Sequence, residues 1–180
     1  IAIDYYNVYR ETSTAGVYEL MGSVPYASSG KLADMISNPI VETKRYKISA
    51  VDTCSNETDL SDFHQTIHIS VSDFGGLNQV DITDHYMGYI FYTYNIYRYH
   101  PSTQWTLVHQ MPSTNNGWTD IDQPTPNMRY CVTALKPDSA CHSAGSKEMG
   151  GPFTQSLSNI DEGIIDVGIN STFNIHNYFW

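Results

Sequence analysis

The chain carries the stretch YNVYR at residues 6–10 and repeats it as YNIYR at residues 94–98. A second stretch, RYKISAV at 45–51, returns in the same order as RYCVTAL at 129–135. The spacing between these blocks changes by small insertions and deletions, which places loops between the blocks and secondary-structure elements within them. One module of roughly 90 residues is therefore used twice, and that is a common size for a small all-β domain.

Alternation of apolar and polar residues within the repeated blocks predicts β-strands, and no long amphipathic helix interrupts them. In the second block, Tyr46, Ile48 and Ala50 share one face of the strand, with Lys47 and Ser49 on the other. Matching the two copies predicts two apolar cores. Their members are Val8, Leu20, Tyr46, Ile48 and Ala50 in the first, and Ile96, Leu107, Tyr130, Val132 and Ala134 in the second.

Composition narrows the function classes. The chain of 180 residues has a net charge of −10, and only 16% of its residues are charged. This acidic balance argues against binding to nucleic acid or to an anionic membrane, because both reward Lys and Arg. No apolar run approaches the roughly 20 residues that span a bilayer, so we predict no membrane insertion. The chain starts at Ile1 without Met, and we interpret it as a mature or shortened product.

The order of motifs resembles a known family. YNVYR, RYKISAVD, Cys54, Ser61 and HQTIHI are followed by YNIYR, RYCVTAL, Cys141 and SLSN. This order resembles tandem fibronectin type III-like modules, and more narrowly those of secreted multidomain proteins of Bacteroidetes, many of them type IX secretion cargo. The resemblance implies immunoglobulin-like β-sandwiches in a secreted or cell-surface, extracellular protein. Within that layout, residues 6–10 and 94–98 would be strand C, and Tyr46 and Tyr130 would lie in strand F.

We therefore predict an all-β fold of two tandem antiparallel fibronectin type III-like β-sandwich units, the first lacking strands A and B. Residues 1–72 form the first, N-terminally incomplete unit, residues 73–160 the second, and residues 161–180 a C-terminal tail or the start of a further segment. In this division residues 67–71 close the first unit and the Gly-containing stretch 73–76 is the linker.

The missing strands carry an expectation about partners. Without strands A and B, the inner face of the first unit would meet water and its strand edges would invite association. One explanation is that the chain is a fragment of a longer protein, whose other domains are then its partners. Another is that the tail, including the strand-like residues 164–169, donates a strand to its own or another copy's first unit. A shortened fold is the third.

No arrangement of residues predicts catalysis. His64 and His68 form an H-x-x-x-H pair, but on a strand they would lie about 13 Å apart, too far to share one metal ion. Asp34 and Asp120 recur at matched positions, yet no repeated second acid lies nearby, so we interpret them as loop-capping residues. Acidic clusters such as 81–85 leave a surface calcium site open beside the simpler alternative of solvated loops. We predict no catalytic residues, no resident metal and no cofactor.

The three cysteines offer one sharper prediction. A hairpin centred near residue 136 would place Cys131 and Cys141 opposite each other at disulfide range. Cys54 would then be left alone. Because an odd count is not typical of a secreted disulfide framework, three reduced thiols remain the alternative.

The tryptophans are the candidates for a ligand surface. Trp105, Trp118 and Trp180 could form a platform on which a sugar stacks. Trp105 and Trp118 align with Tyr18 and Leu32 in the first copy, which equally fits packing at a core or an edge.

The leading functional hypothesis is a non-catalytic structural or adhesive module of a secreted or cell-surface bacterial protein. It depends on the repeat, the absence of a catalytic arrangement, the acidic charge and the family resemblance. The alternatives are a carbohydrate-binding accessory module with a glycan partner, or a non-catalytic appendage of an extracellular hydrolase. Self-association through open strand edges or the tail is a further expectation.

Overall fold

The computed structural model of this chain describes residues 2–28, 30–137 and 155–163. Every regular element in these residues is a β-strand, and every strand pairing is antiparallel, which confirms the all-β prediction. In chain order the strands are β1 (Ile3–Glu11), β2 (Tyr18–Pro25), β3 (Arg45–Asp52), β4 (His64–Gln65), β5 (His68–Phe74), β6 (Leu77–Asp84), β7 (Thr93–His100), β8 (Gln104–Pro112), β9 (Gly117–Thr119), β10 (Arg129–Leu135), β11 (Gln155–Leu157) and β12 (Asp161–Glu162).

The strands form three sheets. The first sheet has the order β2-β1-β3-β4, the second β11-β10-β7-β8 with β12 also paired to β10, and the third β5-β6-β9. Side chains of the second and third sheets meet in one apolar cluster, an arrangement consistent with a β-sandwich. Ile69 and Val80 from the third sheet and Ile96 and Val132 from the second are at most 1% exposed.

The first sheet has a smaller core. Its buried apolar residues are Val8, Val24 and Tyr46, with Met21, Leu32 and Ile48 partly buried around them. No second sheet faces it among the described residues. The segment between β2 and β3 lies over part of this face instead, and the methyl groups of Leu32 lie 3.4 Å from where a Cβ on Gly22 would be.

One predicted strand belongs to a different sheet. Residues 67–71, predicted to close the first unit, contribute Ile67 and Ile69 to the apolar cluster between the second and third sheets, and β5 pairs with β6. The predicted linker forms the β5–β6 turn, where Gly75 and Gly76 adopt φ of 64° and 85°. That backbone region favours glycine. The strand assignment is therefore wrong, and the predicted boundary between residues 72 and 73 lies inside this hairpin.

The chain passes from the first sheet to the third without a loop. Only Thr66 and Ile67 separate β4 from β5. The N–H of Thr66 donates to the Lys44 carbonyl at 3.1 Å, and the Lys44 N–H donates to the Thr66 hydroxyl at 3.0 Å. Across the same junction, the Gln65 N–H donates to the Met87 carbonyl at 2.7 Å. These bonds tie the end of the first sheet to the second unit.

The second predicted core is buried at Ile96, Tyr130, Val132 and Ala134. The first is buried at Val8 and Tyr46, whereas Ile48 and Ala50 are half-buried. Leu20 and Leu107, in contrast, are 55% and 47% exposed, so their predicted burial is wrong. The cause is a β-bulge in β2 and another in β8, each of which turns the leucine to the opposite face.

A buried carboxylate bridges two strands in each unit. Asp120 Oδ2 lies 2.7 Å from Arg98 Nη1 on β7 and accepts the Tyr130 hydroxyl of β10 at 2.8 Å. In the first unit, Asp34 bonds Arg10 at 3.0 Å and accepts the Tyr46 hydroxyl at 2.9 Å. We call these the Arg–Asp–Tyr bridges.

The same carboxylates also accept nearby backbone N–H groups. Asp34 Oδ1 accepts from Ile36 at 2.9 Å and Ser37 at 3.0 Å, and Asp120 Oδ1 accepts from Asp122 at 3.1 Å. These bonds confirm the predicted loop-capping role of Asp34 and Asp120.

Asp120→Ala tests the second bridge. It leaves the shielded Arg98 and Tyr130 without their shared acceptor, so we expect a loss of about 3 kcal/mol in the free energy of unfolding, measured with urea. Asp122→Ala is the matched control, because Asp122 contacts the same Arg98 Nη1 at 2.7 Å from a side chain that is 61% exposed. We expect the control to cost less than about 1 kcal/mol. Equal losses would contradict a special role for the buried carboxylate.

Asp34 predicts sensitivity to acid. Burial alone would raise the pKa of Asp34, but hydrogen bonds from Ser37, Ile36 and Tyr46 outweigh it and hold the pKa well below the ordinary value of 3.8. The unfolded chain therefore binds this proton more readily. The stability contributed by Asp34 is present above pH 4 to 5, roughly, and is lost as pH falls below that interval.

The urea midpoint should accordingly fall between about pH 5 and pH 2 with a steeper slope in the unmodified chain than in Asp34→Asn. Asp59→Asn, at an exposed position, should keep the slope of the unmodified chain. A slope that Asp34→Asn leaves unchanged would show that this carboxylate does not control the acid response.

Candidate functional site

The two bulges occupy the same place in the repeat. In the first sheet, Val8 is paired with Gly22 and Tyr9 with Leu20, so Met21 is the extra residue. In the second sheet, Ile96 is paired with His109 and Tyr97 with Leu107, so Val108 is extra. Met21 and Val108 pack partly buried against their cores. The leucines then lie beside the tyrosines on the outer face of each sheet.

In the second sheet this outer face carries an aromatic surface. Tyr97 is paired with Leu107, and Tyr99 with Trp105, so all four side chains share one face. The rings of Tyr99 and Trp105 lie 5.4 Å apart, and Trp105 is 39% exposed. The Arg129 guanidinium lies 5.7 Å from the centre of the Tyr99 ring. We call these five residues the second outer patch.

The first sheet carries a more charged counterpart. Tyr9 is paired with Leu20 on β2 and with Lys47 on β3. The Lys47 ammonium lies 5.0 Å from the centre of the Tyr18 ring, a cation–π contact. We call Tyr9, Tyr18, Leu20 and Lys47 the first outer patch.

A carboxylate fixes one edge of the first outer patch. Glu57 Oε1 accepts the hydroxyls of Ser49 at 2.5 Å and Tyr9 at 2.7 Å, and the Asn7 amide at 2.9 Å. These hydrogen bonds, led by that from Ser49, lower the pKa of Glu57. The bond to Glu57 in turn raises the pKa of Tyr9. At neutral pH the Glu57 carboxyl group is therefore ionised and the Tyr9 hydroxyl group is neutral. The Tyr9 ring is thereby held in place.

The structure does not assemble the predicted tryptophan platform from its described members. Trp105 belongs to the second outer patch on β8. Trp118 lies on β9 in the third sheet, packs against the apolar cluster between the second and third sheets and stacks on His109 at 5.0 Å with an interplanar angle of 8°. Trp180 lies outside the described residues.

The predicted disulfide has one of its two cysteines, Cys131, among the described residues. Cys131 is on the outer face of β10, paired with Tyr97, and is 6% exposed, whereas Cys54 is exposed. Burial raises the pKa of the Cys131 thiol to about 12, so the thiol is protonated at neutral pH. Cys141 lies outside the described residues, and its pairing with Cys131 stays a prediction.

The two histidines of the H-x-x-x-H pair lie at strand positions and have separate partners. His64 Nδ1 lies 2.9 Å from the Tyr86 hydroxyl, and His68 Nε2 lies 2.9 Å from the Ile40 carbonyl. Within residues 2–28, 30–137 and 155–163, no group of three or more His, Cys, Asp or Glu side chains is placed to hold a metal ion.

The outer patches provide stacking and apolar contact rather than acid–base chemistry. Their exposed groups are aromatic rings, leucine methyl groups and cations that lie over rings. Such surfaces bind by burying apolar area and by ring contacts. The first signal for them in the sequence is the second tyrosine of each YN[VI]YR block, which alternation alone places on the outer face. The leucines could not be found that way, because alternation predicts an unbulged strand.

Truncating Leu107 tests the bulge. We expect Leu107→Ala to change the free energy of unfolding by less than about 1 kcal/mol, because its side chain already lies near water. Ile96→Ala, one strand away and fully buried, should cost about 2–5 kcal/mol. Urea denaturation of both variants gives the comparison. Similar large losses would mean that Leu107 packs inside the core.

Nowhere in the described residues is there a helix long and apolar enough to cross a membrane. No protein-family model matches the chain. No curated protein matches it either. The repeat and the geometry of the two outer patches are therefore the basis for assigning a function.

Proposed function

We propose that this chain is a non-catalytic structural and adhesive module, built from fibronectin type III-like units, of a secreted or cell-surface bacterial protein. The observation that carries the proposal is the matched pair of outer patches. The same bulge turns a leucine outward beside a tyrosine in both units, and Leu20 and Leu107 remain 55% and 47% exposed. Exposed apolar surface repeated in this way is typical of a binding surface.

The strand order supports the fibronectin-like assignment. In the second unit, β5-β6-β9 faces β11-β10-β7-β8. If β11 and β12, which both pair with β10, are one interrupted strand, this unit has the seven or so strands of such a sandwich in two sheets. The resemblance of the motif order then favours a location outside the cell. Because sandwiches of this kind host many roles, the surface carries the functional argument and the fold does not.

Carbohydrate binding is the second candidate. The observation in its favour is the exposed Trp105 ring, which lies 5.4 Å from Tyr99 with Arg129 over the tyrosine. Aromatic faces suit the C–H groups of a sugar, and a cation beside them can donate hydrogen bonds. An appendage of an extracellular hydrolase would use the same surface to hold a substrate near another domain.

Paired substitution of the leucines tests the adhesive role. Beads coated with the chain are drawn by flow over a surface coated with the same chain, and retention is measured. We expect Leu20→Asp with Leu107→Asp to lower retention about tenfold, because charge is introduced into both patches. Phe74→Asp is the control, since Phe74 is 66% exposed at the end of β5 and outside both patches.

A glycan array distinguishes the second candidate. Binding that Trp105→Ala abolishes and Phe74→Ala leaves intact would replace adhesion between copies by sugar binding as the function. Retention that falls equally in the paired leucine variant and in Phe74→Asp would contradict a role for the outer patches. A turnover abolished by one His or Asp substitution would overturn the non-catalytic assignment.

A further inference from the structure

The first sheet buries its inner face less completely than its counterpart in the second unit. We define the open inner face by three half-buried residues, Tyr6, Ile48 and Ala50, which lie together across β1 and β3. Their repeat-equivalents are fully buried at 0% exposure: Tyr94, Val132 and Ala134. Since the two strand pairs have the same sequence pattern and the same register, the difference comes from what lies over them.

In the second unit a β-hairpin lies over this face. It consists of β5 and β6, and it places aliphatic side chains at every second position. These residues are Ile67, Ile69, Val80 and Ile82, each at most 5% exposed. The chain itself thus shows which kind of surface fits the inner face of a YN[VI]YR strand.

In the first unit the segment between β2 and β3 covers only one end of the face. Asp34 holds it down through Arg10 and Tyr46. At this end Tyr46 is 5% exposed, whereas Ile48 and Ala50 further along β3 are half-buried. The covering segment also leaves apolar side chains more than half exposed: Met35, Ile36, Ile40 and Val41. Exposed apolar side chains of this kind are a feature of binding surfaces.

The two units also differ in the residues that precede the bridging aspartate. Residues 117–119 form β9 by pairing with β6. The matched residues 31–33 are in no strand, because no partner strand lies beside them among the described residues. A β-strand needs a neighbour to satisfy its backbone groups. An added hairpin would supply that neighbour as well as the aliphatic cover.

The edge of the last strand gives an independent comparison. Ser61 N–H donates to the Ile48 carbonyl at 2.8 Å while its hydroxyl accepts the Ile48 N–H at 3.0 Å. Ser158 makes the same two bonds to Val132, both at 2.8 Å, so Ser61 and Ser158 are structural equivalents.

The residue after each serine is therefore at the position that contacts the edge of the covering hairpin in the second unit. Asn159, 1% exposed, accepts the Ile69 N–H at 2.7 Å and donates to the Ile69 carbonyl at 3.0 Å, which fastens the edge of β5. Its equivalent in the first unit is Asp62, which is exposed. An ionised aspartate accepts hydrogen bonds but cannot donate one, so it can make only half of this contact.

We propose that the open inner face of the first sheet is a docking site for a β-hairpin with aliphatic side chains at alternate positions, supplied by a separate polypeptide segment. The hairpin covers Tyr6, Ile48 and Ala50 as β5 and β6 cover their counterparts, and one of its strands pairs with residues 31–33. The β5–β6 hairpin of a second folded copy does not serve, because Ile69 and Val80 are at most 1% exposed in its own core.

A peptide with the sequence of residues 66–84 is the probe, since it contains the hairpin whose chemistry fits. The fluorescently labelled peptide is titrated with the full chain and binding is followed by anisotropy. We expect saturable binding by this peptide. A version with the same composition but without the alternation of aliphatic residues should not bind, because its apolar side chains no longer share one face.

Two pairs of variants locate the site. Ala50→Arg places a charge on the open inner face and should weaken binding at least about tenfold, while Val17→Arg, at a 50% exposed position outside the open inner face and both outer patches, should not change it. Asp62→Asn supplies the missing donor and should tighten binding by about fivefold. Asp59→Asn, an exposed change of the same charge, controls for reduced repulsion of the acidic peptide. The Asp62 variant keeps the test decisive if Ala50→Arg does not fold.

Three results would overturn the proposal. One is the absence of saturable binding by the alternating peptide. Another is binding that responds equally to Asp62→Asn and Asp59→Asn, which would mean a charge effect only. The third is concentration-dependent dimer formation that excludes the peptide and that Ala50→Arg abolishes, which would make a second copy the occupant. Adhesion through the outer patches can succeed or fail independently, because Leu20 and Ala50 lie on opposite faces of the first sheet.

Discussion

A carboxylate buried between an arginine and a tyrosine is the contact on which each unit depends. Asp120 links β7 to β10 through Arg98 and Tyr130, and Asn78 of β6 adds a hydrogen bond to the Tyr130 hydroxyl at 2.9 Å. Since the charge is shielded from water, its partners must stay in place for the unit to stay folded. The Asp34 bridge in the first unit holds a segment that pairs with no strand among the described residues. This interaction therefore positions the segment that carries the aspartate. That segment forms a strand where a neighbouring strand is present to pair with it.

In each unit the bulge moves one leucine side chain from the core to the surface. A regular strand would place Leu20 and Leu107 in their cores, where burying such a side chain contributes about 1.5–3 kcal/mol. The bulge places Met21 and Val108 against the cores in their stead. The core is still filled, and the leucine becomes available to the surface. Because the same exchange occurs in both copies of the repeat, the outer patches and the cores are set by a single backbone feature.

Local patterns in the sequence predict the strands well and their partners less well. Tyr46 and Tyr130 lie buried in matched strands, as alternation and the repeat predict. Ile69 was predicted in the wrong unit because an alternating strand does not reveal which sheet will cover it. The outer patches depend on an extra residue in β2 and in β8. The alternation of apolar and polar residues does not reveal such a bulge. Asp62 and Asn159 can be compared only because the hydrogen bonds of Ser61 and Ser158 show that the two positions are equivalent.

The strand directions of the first sheet determine how it meets tension along the chain. β1 and β4 both run antiparallel to β3, so they point the same way. A pull between Ile3 and Gln65 therefore acts along the strands, and the hydrogen bonds that join β1 to β3 are strained together in shear rather than opened one after another. Because β4 continues into β5 through Thr66 and Ile67, the force passes directly into the next unit. The first sheet is thus arranged to resist stretching despite its small core.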